Sequence, residues 1–234
     1  MKIIWLGHSS FRLEWGGLTL LIDPWLNGNP MLPEERHAEA TEGATHILLT
    51  HAHFDHASDT LDLARRLGVP VVGQFDLMNH WAETEGIETV GFNKGGTVDL
   101  GGERGGMRVT MVHAVHSSSF AGKDGPHVPG SECGYMIEAE GRTIYVSGDT
   151  DVMADMKVFQ DLHAPEIGIL CAGGHFTMDM RRAAYAAKTF FDFKTVIPCH
   201  YRTFDALEQS AERLIAALPG CNVIEPEVMA PIEL

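Results

Sequence analysis

Near the amino terminus, short apolar runs alternate with polar breaks: KIIWL, SFRLEW and LTLLID are separated by Gly and Ser turn signals, which predicts three strands in a meander. A further apolar run, Ile47 to Leu49, ends in a polar, His-rich stretch from Thr50 to Asp59, after which Leu61, Ala64 and Leu67 recur at helical spacing. VPVVG predicts a strand before a helix over 75–85, and residues 87–115 return to short strands broken by glycines. GYMIEAE and RTIYVSG predict a hairpin turning at Glu140 and Gly141. Beyond it, the strands EIGIL and TVIP alternate with helices near 152–161, 179–192 and 206–217. Residues 117–132, SSSFAGKDGPHVPGSE, have no period and predict a long functional loop.

Two strand-rich halves, each carrying helices, point to two sheets packed face to face with helices outside, an α/β (α+β) fold built as a four-layer αββα sandwich. No internal repeat and no linker stand out, so residues 1–234 are expected to form one domain.

Composition narrows the function. The 32 acidic and 17 basic side chains give a net charge of −15, a field that repels phosphate backbones and anionic membranes, so no nucleic-acid or membrane partner is expected. A small-molecule substrate, even an anionic one, remains compatible if metals make one pocket locally positive. A homo-oligomer is compatible too. MKIIWLGHSS has no signal-peptide pattern, and no apolar run reaches the ~18 to 20 residues of a membrane span. Cys133, Cys171, Cys199 and Cys221 show no CxxC spacing, which suits reduced thiols in the cytoplasm.

The strongest chemical signal is His51-Ala52-His53-Phe54-Asp55-His56, four potential ligands in six residues leaving a strand. Imidazole and carboxylate suit zinc and its first-row neighbours, and a loop at a strand end can aim alternate side chains at different ions.

This motif resembles the HxHxDH hallmark of the metallo-β-lactamase superfamily. The resemblance calls for three further ligands, and His116 after VTMVHAV, Asp149 in SGDT and His200 in IPCHY stand in the right order. It implies one metal on His51, His53 and His116, another on Asp55, His56 and His200, and Asp149 bridging them. His113 competes with His116. Being three apart they lie on opposite strand faces, and His116, at the strand's exit, is the better placed.

GHSSF near the start, HSSS at 116–119, GHFTM at 174–178 and PCHYRTF at 198–204 resemble a branch of small metal-dependent hydrolases. That branch is related to ascorbate-6-phosphate lactonase and, more remotely, to the phospholipase D acting on N-acylphosphatidylethanolamines. In it, His175 departs from the usual Asp or Asn. The resemblance brings His8 to the pocket rim, and Tyr201 and Arg202 follow the proposed ligand His200, so these three, with His175 and the loop residue Lys123, are the candidate substrate contacts.

Two divalent ions about 3.5 to 4 Å apart would bridge a water and deliver hydroxide to a carbonyl or phosphoryl centre. Asp55 is the expected catalytic residue, steering that water or carrying a proton. The expectation is therefore a binuclear hydrolase of a small ester, lactone or phosphodiester, loaded with zinc by default and with manganese or iron as alternatives. The rival is a non-catalytic metal-binding sensor or scaffold that kept the ligands. Asp149 where common zinc β-lactamases carry Cys, and His53 where diiron redox members carry Glu, argue against those two activities.

Overall fold

The computed structural model describes residues 1–102, 106–122 and 125–234. Strands β1 (Lys2–Gly7), β2 (Ser10–Trp15) and β3 (Leu18–Ile22) form the expected antiparallel meander. Helix α1 (His37–Thr41) leads to β4 (His46–Leu48), α2 (Phe54–Ala57), α3 (Thr60–Leu67), β5 (Val71–Gln74), α4 (Phe75–Glu85) and β6 (Thr89–Phe92). β4, β5 and β6 each pair in parallel with the strand before them.

The second half opens with β7 (Thr97–Asp99) and β8 (Met107–His113), then a small ribbon of β9 (Phe120–Gly122) and β10 (Gly125–His127). Next come β11 (Cys133–Ala139), β12 (Arg142–Val146), α5 (Asp155–His163), β13 (Ile167–Cys171), α6 (Met180–Phe190), β14 (Thr195–Cys199), α7 (Glu212–Ala217) and β15 (Asn222–Val223). The final strand, β16 (Pro231–Glu233), returns to pair with β1.

Each seven-stranded sheet contains the same unit. β1–β2–β3 run antiparallel and β4–β5–β6 follow in parallel; β8–β11–β12 run antiparallel and β13–β14–β15 follow in parallel. Parallel pairing demands crossovers, and the helices that make them cover the outer faces.

Side-chain alternation sets the layers. In the first sheet Ile3, Trp5, Leu20, Ile22, Leu48 and Val72 join the core shared with the second sheet. Their neighbours Ile4, Leu6, Leu21, Ile47, Leu49 and Val71 pack instead under Leu63, Leu77, Met78 and Trp81 of α3 and α4. Each such fully buried aliphatic side chain contributes about 1.5 to 3 kcal/mol of transfer free energy. Tyr135 of the second sheet stacks near Phe92 and donates its hydroxyl to Leu49 O at 2.6 Å, fastening the sheets together. On the far side Tyr145 packs on Phe159 and Phe191 beneath α5 and α6. The result is the four-layer αββα sandwich.

Local signals explain the helix limits. Gln74 caps α4 by accepting from Asp76 N and Leu77 N, and Gly86 ends it in the left-handed region. Asp179 caps α6 through Arg182 N. The expected helix over 206–217 is shorter, beginning only at Glu212, and α1 and β16 were not foreseen: α1 is one short turn, and the three-residue β16 begins with proline. The 117–132 stretch folds partly as the β9–β10 ribbon, whose Phe120 stacks on His127 at 5.3 Å and packs beside Trp81 of α4. Lys123 lies outside the described residues.

Candidate metal centre

At one end of the sandwich, loops leaving β4, β8, β12 and β14 bring His51, His53, Asp55, His56, His116, Asp149 and His200 together. The turn of α2 makes the first four compatible with one point in space. Ala57 N and His56 N both donate to His53 O, so the chain curls immediately after His53 and swings Asp55 and His56 back towards it.

His51 Nε2, His53 Nδ1 and His116 Nε2 crowd one side. The first two atoms are 3.0 Å apart, and His116 Nε2 is 3.5 Å from Asp149 Oδ2. His56 Nε2 lies 3.3 Å from Asp149 Oδ1, and His200 Nε2 lies 3.1 Å from Asp149 Oδ2 and 3.8 Å from Asp55 Oδ2. Donor atoms of His51, His53 and His116 fall within 4.8 Å of one another, as do those of His8, Asp55, His56 and His200. His113 points elsewhere, pairing with Asp155 at 3.1 Å on the surface.

A second layer fixes the tautomers. Asp23, just after β3, accepts from Thr50 N at 2.7 Å, from Thr50 Oγ1 at 2.6 Å and from His56 Nδ1 at 2.8 Å. Because the Thr50 hydroxyl proton goes to Asp23, Thr50 Oγ1 is left to accept from His51 Nδ1 at 3.0 Å. One buried carboxylate thus holds Nδ1 of both His51 and His56 as a donor, the first through Thr50, and turns Nε2 of each inward. The third group that could hold an ion, Asp23 with His51 and His56, is satisfied by these internal bonds and serves as support.

Neither Asp23 nor Thr50 stood out in the sequence, where a carboxylate after an apolar strand reads as an ordinary turn. Their signal is topological: Asp23 follows β3, the last antiparallel strand of the first unit, as Asp149 follows β12, the last antiparallel strand of the second.

The cluster is chemically incomplete as a set of protein atoms. His56 Nε2, Asp149 Oδ1 and both ring nitrogens of His200 are buried without a hydrogen-bond partner among the described residues. Leaving such a group unsatisfied costs about 1 to 3 kcal/mol, and here imidazole nitrogens and carboxylate oxygens face one another without an aligned hydrogen bond, an unresolved conflict. A divalent cation between them removes the conflict, so the residues fit a metal site. Burial disfavours charge on His56, but the carboxylates of Asp149 and Asp23 overcome it and raise its pKa well above the usual value. A proton and a metal ion compete for that lone pair. Burial would push the Asp149 carboxyl up, yet the charges of His200 and His56 hold it well below the usual range. His51, fully enclosed, is held well below its usual value by burial and by the charge of His56.

His8 lies deeper than the rim expected from sequence. It is wholly buried, with Nε2 3.0 Å from Asp55 Oδ2 and Nδ1 2.8 Å from Thr203 Oγ1. Burial, reinforced by the charge of His200, lowers its pKa to about 4, so at neutral pH it is an uncharged donor to Asp55. Burial opposes ionisation of Asp55, but the His8 hydrogen bond and the charge of His56 prevail and its pKa is lowered.

Two loop glycines let the ligand strands converge. A Cβ on Gly173 would lie 1.8 Å from His200 O, and one on Gly148 2.5 Å from Cys133 O. Ser118 holds the first loop by accepting from Ala52 N, and Glu132 accepts from His116 N.

Residues 19–201 match a family model described as a beta-lactamase superfamily domain. Over all 234 residues, and over the full length of each relative, the chain is 67% identical to a UPF0173 metal-dependent hydrolase of Ruegeria sp. (strain TM1040) and 65% identical to one of Dinoroseobacter shibae. The chain belongs to the UPF0173 metal-dependent hydrolases. A solved structure of a metallo hydrolase from the hyperthermophilic archaeon Ignicoccus hospitalis superposes with a TM-score of 0.84 at 28% identity, covering 100% of this chain and 98% of the other. Family membership makes the protein a metal-dependent hydrolase of the beta-lactamase superfamily.

For a UPF0173 hydrolase, the remaining candidates divide clearly. Tyr201 is buried and stacks on Trp5 at 5.7 Å, and Arg202 lies over both rings and pairs with Glu225, so these two brace the region under His200. His175 is exposed beside Phe176, whose ring centre is 6.5 Å from that of His200. Across the mouth, Trp25, Phe54 and Phe204 form an apolar edge that no sequence pattern announced. No helix of the described residues is long and apolar enough to cross a membrane.

Proposed function

We propose that the chain is a two-metal hydrolase of a small ester, lactone or phosphodiester. His51, His53 and His116 hold one ion, Asp55, His56 and His200 the other, and Asp149 is shared. The supporting observation is the buried convergence of His56 Nε2, His200 Nε2 and Asp149 Oδ1, none of them hydrogen-bonded among the described residues. When bound, two divalent ions acidify a shared water and polarise the substrate oxygen. Zinc is the default occupant, with manganese or iron as alternatives for the same donors.

The chain's own residues do the rest. Asp55 is the proposed catalytic residue. His8 fixes its Oδ2, which leaves Oδ1 to take the proton of the attacking water and return it to the leaving group. Trp25, Phe54 and Phe204 form an apolar wall that excludes bulk water from one side. The four free cysteines, three of them buried, suit action in the cytoplasm as one domain.

The test is metal removal and reconstitution against a panel of lactones, esters and phosphodiesters. Turnover lost on chelation and restored at two ions per chain supports the reading. A metal content that stays near one under excess zinc or manganese, or turnover indifferent to chelator, overturns it.

A further inference from the structure

Beside the ligand cluster lies a cavity of about 310 Å³, within the range of small-molecule sites. Its walls are the chain neighbours of the proposed ligands. Val115 precedes His116, Thr150 and Asp151 follow Asp149, and His175 and Phe176 come from the loop that Gly173 presses against His200. None of the ligands themselves lines it, so a molecule seated there extends away from the cluster, while Phe176 continues its wall towards His200.

One cation faces this cavity, Arg182, from the first turn of α6. Its Nη1 is clamped between Asp151 Oδ1 at 2.6 Å and Oδ2 at 2.5 Å, and Asp151 is held in turn by Val152 N at 2.7 Å. Nε and Nη2 make no hydrogen bond among the described residues, so the guanidinium is oriented through one nitrogen and keeps an edge of donors free.

The other polar groups on the walls are largely committed. Thr150 Oγ1 accepts from Val115 N and donates to Asp151 O, Thr177 Oγ1 donates to Met178 O, and Asp179 Oδ1 caps α6. The free donors are the Arg182 edge and one ring nitrogen of His175, and Asp179 Oδ2 is a free acceptor beside the paired carboxylate of Asp151.

We infer that this cavity is the recognition subsite of the substrate, and that the free edge of Arg182 binds an oxyanion, a carboxylate or phosphate, on the part of the substrate remote from the scissile bond. This rests on the hydrolase reading above and narrows it to small anionic substrates. A paired Nε–Nη2 edge matches two oxygens of either group, which a lysine cannot do.

The experiment uses the metal-reconstituted full chain and matched aryl esters with a terminal carboxylate, a terminal phosphate or a neutral group of the same size. The wild type is expected to favour an anionic ester over the neutral one, and the preferred anion tells carboxylate from phosphate. Arg182→Gln should lower kcat/KM for the anionic ester by about ten- to a hundredfold, mainly through KM, the size expected for a lost charged bidentate contact. Turnover of the neutral ester and metal content should stay within about twofold of the wild type on the same grounds. Arg182→Lys, which keeps the charge and the pairing with Asp151, should fall in between. Equal loss on both esters, or no change on either, overturns the inference while leaving the hydrolase reading intact. If the wild type hydrolyses none of them, calorimetric titration with succinate and inorganic phosphate decides. Binding to the wild type that Arg182→Gln abolishes upholds the subsite, and no binding to the wild type overturns it.

Discussion

The carbonyl of His8 accepts the backbone N–H of His200 at 3.0 Å, and both residues sit in the left-handed region, at φ 52° and 58°. Non-glycine residues rarely adopt that conformation, and each costs about 1 to 3 kcal/mol that the surroundings must offset. The contact docks the exit of β1 on the exit of β14, so that the His8 ring supports Asp55 while the His200 ring joins the cluster.

From this follows a prediction for His8. His8→Ala should reduce kcat by about ten- to a hundredfold, the range for removing an outer hydrogen bond to a ligand, with a smaller change in KM. His8→Gln, which can still donate to Asp55, should recover part of it. Steady-state kinetics with metal analysis checks this, and wild-type turnover in His8→Ala would show that Asp55 needs no partner.

Asp23 makes a stronger demand. Asp23→Ala frees His51 and His56 to adopt the wrong tautomer and leaves Thr50 N buried without its acceptor. Metal affinity should fall by about ten- to a hundredfold and stability by about 3 to 5 kcal/mol, as for a broken buried charge network. Competition with a chelating dye measures the first and denaturant unfolding of the metal-free protein the second.

His116→Ala should lose one of two ions, whereas His113→Ala should retain both. Among the described residues the His113 ring pairs with Asp155 at the surface, and exposed pairs contribute about 0 to 1 kcal/mol. Elemental analysis of the two variants distinguishes them, and the reverse result would reassign the ligand.

Gly173→Ala should be severely destabilising, because its Cβ meets the backbone oxygen of His200, which no rotamer change can move aside. A loss of about 3 kcal/mol or more is expected, together with weaker metal binding. A melting temperature within a few degrees of the wild type would show that the two loops can separate.

How much of this was legible in the chain depends on distance along it. The His51–His56 run and the strands flanking it were readable because the ligands are local and the spacing is chemical. β1, β2 and β3 were readable because alternation is local too. Asp23, Thr50 and Thr203 were not, since Asp23 meets Thr50 and His56 across 27 and 33 residues, Thr50 orients its neighbour His51 only once Asp23 holds its hydroxyl, and Thr203 meets His8 across 195. His8 is legible as a site residue, but its burial is not, because sequence gives no depth. Tyr201 and Arg202 inherited interest from His200, although His200 at positive φ turns its neighbours toward Trp5. In sequence Arg182 reads as one more basic residue on an exposed helix.

The matching strand order of the two sheets has a thermodynamic consequence. His51, His53, Asp55 and His56 come from the first unit, and His116, Asp149 and His200 from the second, so neither unit alone carries a complete donor set for either proposed ion. Any ion bound across them is then a ligand of the docked state only, and by mass action it stabilises docking by about 2.7 kcal/mol at a free concentration a hundred times its dissociation constant. Chelation acts on that equilibrium as a denaturant aimed at one interface. It should loosen the seam between the sheets, and amide exchange along β11 should quicken before that in the outer helices.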